Sequence, residues 1–506
     1  MTAPRTLTLL ALQALALAAC PTRGPLNLGG GEDGGFVDPS GDGDLPDAPP
    51  LGPPCPAPAA PRRTDPCPTR GDCGLPSAAR VNITGARTVL REFQVRVVLP
   101  AAIRAAAGPA CDRLSFRTPG NQWVPHFVTN CAMGEVWIRV PEIQPAGTVV
   151  AMNYGGATPV PAAQSYDDTF DRVPAAAANL IGAWTFDEGT GTRSCPAAGG
   201  VAFDAYIHDN PYARGFAEVR RRPELWSREA PPSMLAPDNA AARFSRGQFS
   251  LNFERSDTIP DPRQPAVTRV DRLVNWRSDS NLPFRAANDQ LTVGVWVYTE
   301  TPANEFEDNF QTVICYGMPA HPRPPFQGAI LDGISIFNPW ALFFRSDDAN
   351  NTFLQGNTCV FPCINIDQYA HITTKRPFTR EAFTRRWHFA AMTVDTTTRP
   401  HATRRSYFDA DGYEFPRDLN LFPEDTYCPG PPDARVCRYP PDTAIYYYDA
   451  PVILGADLNA GEARLNLEGK IDDLFIIGRA APPEEIRAYR ERRKYTADPV
   501  VATVAM

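Results

Sequence analysis

Short apolar runs that alternate with a period of two and stop at Gly or Pro constrain this chain more than any other feature. Phe93-Gln94-Val95-Arg96-Val97 and Val136-Trp137-Ile138-Arg139-Val140 are two such runs. Successive side chains of a strand point to opposite faces, so this spacing predicts half-buried antiparallel strands. A chain of 506 residues exceeds one average domain. The expected fold class is therefore all-β, in two or three globular units. The 54 prolines are about twice ordinary usage, and many fall early, so part of the length reads as tether.

The N-terminus supports that division. Arg5 precedes an apolar stretch from Leu7 to Leu17, and Leu17-Ala18-Ala19-Cys20 follows. Charge, a short apolar core and small residues before a cut are the layout of a secretory signal peptide, here residues 1–19. A cysteine directly after the cut resembles bacterial lipoproteins. The resemblance implies lipid attachment at Cys20 and a place in the bacterial cell envelope, facing the periplasm or the exterior. No later apolar run reaches the 18 or so residues of a membrane-spanning helix, so lipid is the expected link to the membrane. Residues 20–79 are rich in Gly, Pro and Asp, as in Gly29-Gly30-Gly31 and Pro49-Pro50. Such a segment buries too little apolar surface to repay its ordering entropy, which predicts a disordered linker. A net charge of -8 argues against a nucleic-acid partner and disfavours polyanions, because phosphate binding needs clustered basic groups.

Eleven cysteines follow Cys20. An exported chain meets an oxidising compartment, so disulfides are the default reading. Cys111 and Cys131 fall in one predicted domain, while Cys359 with Cys363 and Cys428 with Cys437 read as local loop staples; Cys195 and Cys315 complete an even C-terminal set. Cys55, Cys67 and Cys73 lie in the linker, and the odd thiol is assigned to Cys55. Zinc at Cys359-x-x-x-Cys363 would need a second pair with the right spacing, which is missing.

Two resemblances refine the fold. Cys111-Asp112-Arg113-Leu114-Ser115-Phe116, Trp123-Val124-Pro125-His126-Phe127, Val136-Trp137-Ile138-Arg139-Val140-Pro141 and Met152-Asn153-Tyr154-Gly155-Gly156 stand in an order similar to the DUF2341 family of bacterial surface proteins. That resemblance implies a β-sandwich over 80–165, with Gly156 in place of the usual Asn. Further on stand Leu180-Ile181-Gly182-Ala183-Trp184, Leu291-Thr292-Val293-Gly294-Val295-Trp296-Val297, Trp387-His388-Phe389-Ala390-Ala391-Met392 and Gly469-Lys470-Ile471-Asp472-Asp473-Leu474-Phe475-Ile476. Their order resembles the LamG-like jelly roll of the concanavalin A-like superfamily, over 179–490. The length implies insertions at 214–239, 257–285 and 319–380. The same resemblance implies calcium as cofactor, held by Asp187, Asp204 and Asp472. Pro482 to Tyr489 reads as a short closing helix, with proline at its start and acids in its first turn.

No catalytic residue is assigned. The Glu-x-Asp-x-x-Glu strand of the superfamily's sugar-cleaving enzymes is absent, and Glu305-Phe306-Glu307-Asp308 lacks its spacing. A nucleophile elbow, a zinc-protease helix motif and a phosphate loop are missing as well. The six histidines form no metal-spaced pair. Trp184, Trp296 and Trp387 read as core, whereas Trp226, Trp276 and Trp340 fall in the implied insertions. There they would either stack on sugar rings as a ligand site or plug long loops. The expected function is an envelope-anchored, non-catalytic binding module for a glycan or a cell-surface polymer. The alternatives are a protein-binding adhesion or structural role and, behind it, a glycoside hydrolase.

Overall fold

Alternation becomes strand where it predicts strand. In Leu90–Val98 the side chains of Phe93, Val95 and Val97 are buried while Arg96 and Val98 are exposed. In Gln290–Thr299, Val293, Val295 and Val297 enter one apolar cluster and Trp296 the cluster on the opposite face. The computed structural model describes residues 65–68, 73–160, 165–209 and 467–506. Between them it describes 225–229, 249–253, 258–261, 264–270, 272–278, 290–300, 310–316, 340–346, 352–359, 369–373, 384–395, 403–410, 451–459 and 462–464, with single residues at 55, 231 and 397. The protein is all-β, and its described sheets are antiparallel.

The first sandwich has a five-stranded sheet in the order Val501–Ala505, Ser77–Thr84, Thr148–Tyr154, Leu114–Arg117 and Trp123–Val124. Its second sheet is Leu90–Val98, Glu135–Ile143 and His126–Asn130. The edge strand comes from far along the chain: Arg80 pairs with Ala505 and Thr84 with Val501. The larger sandwich is thus inserted between two strands of the smaller one. Residues from Leu51 onward form one compact unit.

The second sandwich stacks two eight-stranded sheets. One is centred on Gly469–Ile477, Gln290–Thr299 and Trp387–Asp395, and the other on Phe310–Tyr316, Val452–Leu454 and Trp340–Ser346. The core between them takes Val293, Leu474 and Ile476 from the first and Ile314, Leu342 and Leu454 from the second. The outer face of the first sheet carries Trp296, Phe389 and Phe475, covered by Ile486 and Tyr489 of the helix Pro483–Arg490.

Several expectations change here. The implied insertions at 257–285 and 319–380 contain integral strands, since Arg272–Ser278, Trp340–Ser346 and Thr352–Cys359 belong to the second large sheet. Their disguise has a physical cause. Leu342 and Phe344 enter the main core while Ala341 and Phe343 enter an outer cluster, so a strand buried on both faces shows no period of two. The linker is pinned where it is described: Arg117 clamps Asp65 with Nη1 to Oδ2 at 2.8 Å and Nη2 to Oδ1 at 2.7 Å. Cys67 is bonded to Cys73. These bonds offset the ordering entropy that the Gly and Pro composition alone could not. Cys55 is not the odd thiol, because it is bonded to Cys195 across 140 residues. Cys111 and Cys131 are bonded to each other, and Cys315 is a buried thiol with Sγ 3.4 Å from the Ala456 carbonyl oxygen. Cys359 ends the strand Thr352–Cys359. Cys20 with the signal segment, Cys363, Cys428, Cys437 and residues 305–308 lie outside the described residues.

Candidate functional site

Where the two sandwiches meet, the chain forms a cleft of about 860 Å³. The first sandwich contributes Leu90, Arg91, Phe93 and Arg139, and the helix end contributes Pro482, Glu485 and Tyr489. The connector 174–178 and the segment Arg492–Tyr495 complete the lining.

Local structure sets each polar group. Pro483 opens the helix and Glu484 and Glu485 occupy its first turn, where acids suit the exposed N–H groups. Glu485 and Tyr489, four apart, share a helix face, and the Tyr489 hydroxyl donates to Glu485. Arg479 donates to the same carboxylate, with Nη1 to Oε2 at 2.6 Å. Burial, and then the bond to Glu485, pushes the Tyr489 hydroxyl far above its ordinary range, so it remains a donor. Across the cleft, Arg139 donates from Nε to Glu92 at 3.0 Å and from Nη1 to Asp171 at 2.7 Å. Gln94 donates to Asp171 at 3.1 Å and accepts from the Lys494 backbone N–H at 2.9 Å. The Asp171 N–H donates to the Arg492 carbonyl at 2.8 Å. This run of bonds fixes connector and C-terminal segment to the first sandwich. The Arg493 guanidinium lies 4.8 Å over the Trp137 ring and its Nε is 2.8 Å from Glu491.

A buried ionic cluster lies next to the cleft. Arg172 places Nη1 at 2.6 and 2.5 Å from the two Asp187 oxygens and Nη2 at 3.0 Å from Asp472 and 2.9 Å from Asp473. Arg492 reaches Asp473 from the far side at 2.5 Å. Neighbouring strand residues normally point opposite ways, yet both Asp472 and Asp473 reach Arg172. A β-bulge explains this: Gly294 and Trp296 pair with Phe475 and Asp472, which leaves one extra residue on the acidic strand, and Asp473 takes φ +47°. Burial, then the Asp473 charge, holds the Asp472 carboxyl well above the usual range. Burial lifts Asp187 to about 6 against the pull of Arg172.

The assigned calcium ligands therefore separate. Asp187 and Asp472 meet, but their oxygens turn to a guanidinium, and Asp204 pairs with Arg193 in the other large sheet at 3.1 and 2.9 Å. Calcium takes six to eight oxygens, so this donor set does not fit it. Among the described residues no group of three His, Cys, Asp or Glu side chains is set to hold a metal. Arg172 carries no motif and stands 300 residues from Asp472, so no local pattern announces it.

The proposed ligand tryptophans are also corrected. Trp276 and Trp340 are 0 % exposed within the core of the second sandwich, so neither ring can stack on a ligand from solvent. Both sit on strands of that sandwich, which bury large apolar faces. Trp226 is half-buried, edge-on to Trp276 at 5.2 Å, with Nε1 donating to the Gly191 carbonyl at 2.8 Å. Trp184, Trp296 and Trp387 are buried, and His388 stacks on Phe408 at 4.7 Å. His126 is fully buried beside Phe116, and neither ring nitrogen has a hydrogen-bond partner. Burial pushes it down to about 3, so its ring is neutral.

No protein-family model matches the chain, and no curated protein does. Among solved structures it is similar to domain 4 of AbnA, an extracellular GH43 arabinanase of Geobacillus stearothermophilus seen with arabinotriose. There the identity is 12 %, the TM-score 0.30, and coverage 62 % of this chain and 98 % of that one. It is similar also to the binding domain of botulinum neurotoxin DC in complex with rat synaptotagmin II, at 10 % identity and TM-score 0.30, over 63 % of this chain and 52 % of that one. A heptameric SAP-like pentraxin from Limulus polyphemus matches at 10 % identity and TM-score 0.25, over 43 % and 83 %. The chain spans about half of the neurotoxin chain it matches. No ligand is carried over from these β-rich proteins.

Proposed function

We propose that this protein is a non-catalytic binding module, held at the bacterial cell envelope by lipid on Cys20, that takes a glycan or cell-surface polymer into the cleft between its sandwiches. The observation that carries the reading is the lining of that cleft. Half-buried Tyr495 supplies a ring and Leu90, Pro174 and Pro482 supply apolar surface, beside arginines and a lysine, while Phe93 and Tyr489 belong to the lining but are buried. A saccharide offers apolar ring faces and polar edges, and a concave site with both is what holds it. The acids nearest the cleft support binding over hydrolysis: Asp171 and Glu485 are each engaged by an arginine, and the acids of the ionic cluster face inward to Arg172 and Arg492.

A carbohydrate array probed with the full chain and with Tyr495→Ala tests the reading. Tyr495 is half-buried and outside both sheets of the first sandwich, so the variant is expected to fold. Loss of array signal in the variant is the expected result. A signal that is absent, or unchanged by the substitution, would remove the cleft from consideration.

A further inference from the structure

The smaller sandwich leaves one sheet edge open. Among the described residues no strand pairs with the outer side of Val501–Ala505, which ends the five-stranded order. An edge strand turns every second backbone N–H and C=O outward, and proteins ordinarily guard such edges with charge, proline or a bulge. Val501-Ala502-Thr503-Val504-Ala505 carries no charge and no proline, and its register runs unbroken from Thr84 with Val501 to Arg80 with Ala505. Ala502 and Val504 pack on the core, so Val501, Thr503 and Ala505 face outward, with Val501 54 % exposed. Val149 continues that outer face beyond Ser77–Thr84: Asn82 pairs with Thr503 on one side and with Val149, 42 % exposed, on the other.

We propose that this edge pairs antiparallel with the same strand of a second copy, giving a two-fold dimer in which the two five-stranded sheets become one continuous sheet. The strand's own sequence names that occupant. Antiparallel pairing about Thr503 sets Val501 opposite the partner's Ala505 and Ala502 opposite the partner's Val504, so every valine meets an alanine. The two Thr503 side chains meet on the axis, and threonine pairs are favourable cross-strand neighbours. Charges stay apart as well: the row that begins at Arg80 runs through Ala505 and the partner's Val501 to the partner's Thr84. Val500 meets Met506 in the same register, and Pro499, which has no N–H to give, stops the pairing there. Sliding by two residues keeps the faces but sets Pro499 opposite Ala505 in one direction and Val504 against its own copy in the other. Pairing also closes. The opposite end of the sheet is Trp123–Val124, two residues long and followed by Pro125, so the joined sheet offers no edge fit to recruit a third copy. One strand pair is smaller than a standard interface, so the dimer is expected to depend on concentration. It is independent of the cleft, whose lining does not include Val501–Ala505.

Sedimentation equilibrium of the full chain in density-matched detergent, from about 1 to about 300 μM, tests this together with two single-cysteine variants. Thr503→Cys places two thiols across the axis with Cα atoms about 4.5–5.5 Å apart, within reach of a disulfide. Val501→Cys is likewise exposed but faces the partner's Ala505, so its thiols lie apart. The expected result is a concentration-dependent dimer, with on the order of tenfold more cross-linked dimer for Thr503→Cys than for Val501→Cys under mild oxidation. Thr503→Lys sets like charges opposite each other and should weaken the dimer on the order of tenfold. Its side chain points outward, and thermal melting confirms that the variants are folded. A monomer at every concentration overturns the proposal and leaves the edge to a strand of another protein. Equal cross-linking of the two cysteine variants, or a dimer that Thr503→Lys leaves intact, overturns this edge as the interface.

Discussion

The first sandwich packs Val81, Ile83, Val95, Val97 and Ile138 between sheets of five and three strands, with Phe93 and Phe116 among its buried rings. The second fills the space between two eight-stranded sheets with Trp184, Phe186, Trp276, Trp340 and Phe344. Large sheets enclose a wide core that rings can span, and buried rings contribute more apolar area than any aliphatic side chain. A small sandwich buries a smaller share of its surface, and covalent staples compensate. Cys111–Cys131 and Cys67–Cys73 lie in or beside the first sandwich. The second, among the described residues, is tied by Cys195 to Cys55 at its margin, and beside its wide core it carries the ionic cluster around Arg172.

That contrast can be broken from either side. The largest effect is expected from Arg172→Met, which leaves Asp187, Asp472 and Asp473 with Arg492 as the one remaining cation of the cluster. Removing one partner of a buried pair costs about 3–5 kcal/mol. Urea unfolding followed by tryptophan fluorescence should show the loss, with hydrogen exchange placing it in Gly469–Ile477. Unchanged stability would mean the cluster contributes nothing. Cys111→Ser with Cys131→Ser should cost about 3 kcal/mol, because the bond closes a loop of 20 residues. The loss should appear in the first sandwich and spare the second; a uniform loss would show that the two unfold as one.

Removing Val501–Met506 strips the edge strand from Ser77–Thr84 and uncovers the surface on which Ala502 and Val504 pack. The expected cost is about 2 kcal/mol, read as faster proteolysis within 77–154 and no change in 290–299. Acidification should separate the sandwiches further. From pH 6.5 down to about 3, the unfolded chain protonates His126 while the buried ring stays neutral. The first sandwich therefore loses stability as pH falls, by about 1.4 kcal/mol per unit. Asp187 acts in the opposite sense. Its carboxyl is lifted from 3.8 to about 6, so the folded state holds the proton more tightly and the second sandwich gains as pH falls through that window. Hydrogen exchange at pH 4.5 and 7, corrected for intrinsic rates, should show protection in Leu90–Val98 declining relative to Gln290–Thr299, and a parallel change would refute the assignment. The smallest effect belongs to Arg91→Gln, whose exposed pair with Glu142 should contribute less than about 0.5 kcal/mol to stability by thermal melting.

Legibility followed burial. Leu90–Val98 can be read directly because Arg96 and Val98 are exposed beside buried Val95 and Val97, whereas Glu135–Ile143 and Gln290–Thr299 are buried on both faces and are legible only where a polar residue such as Arg139 or Thr292 interrupts the apolar run. Trp340–Ser346 cannot, since apolar surroundings on both sides erase the period. Trp276 and Trp340 look like ligand-stacking candidates for the same reason: a tryptophan outside a visible strand pattern gives no sign that it is core. Asp187 and Asp472 stand out as special acids, but their partner Arg172 lies in the connector between sandwiches. The cleft was invisible, because its lining comes from residues 89–93, 139, 171–178 and 479–495.

By itself the sequence determined the all-β class, through a local rule: each strand residue's neighbours two positions away share its face. It also determined the total charge, which is a sum and needs no geometry. Which acids meet which arginines and which cysteines bond were decided by tertiary structure alone. Those properties depend on distances between residues hundreds of positions apart, and only the packed sheets set such distances.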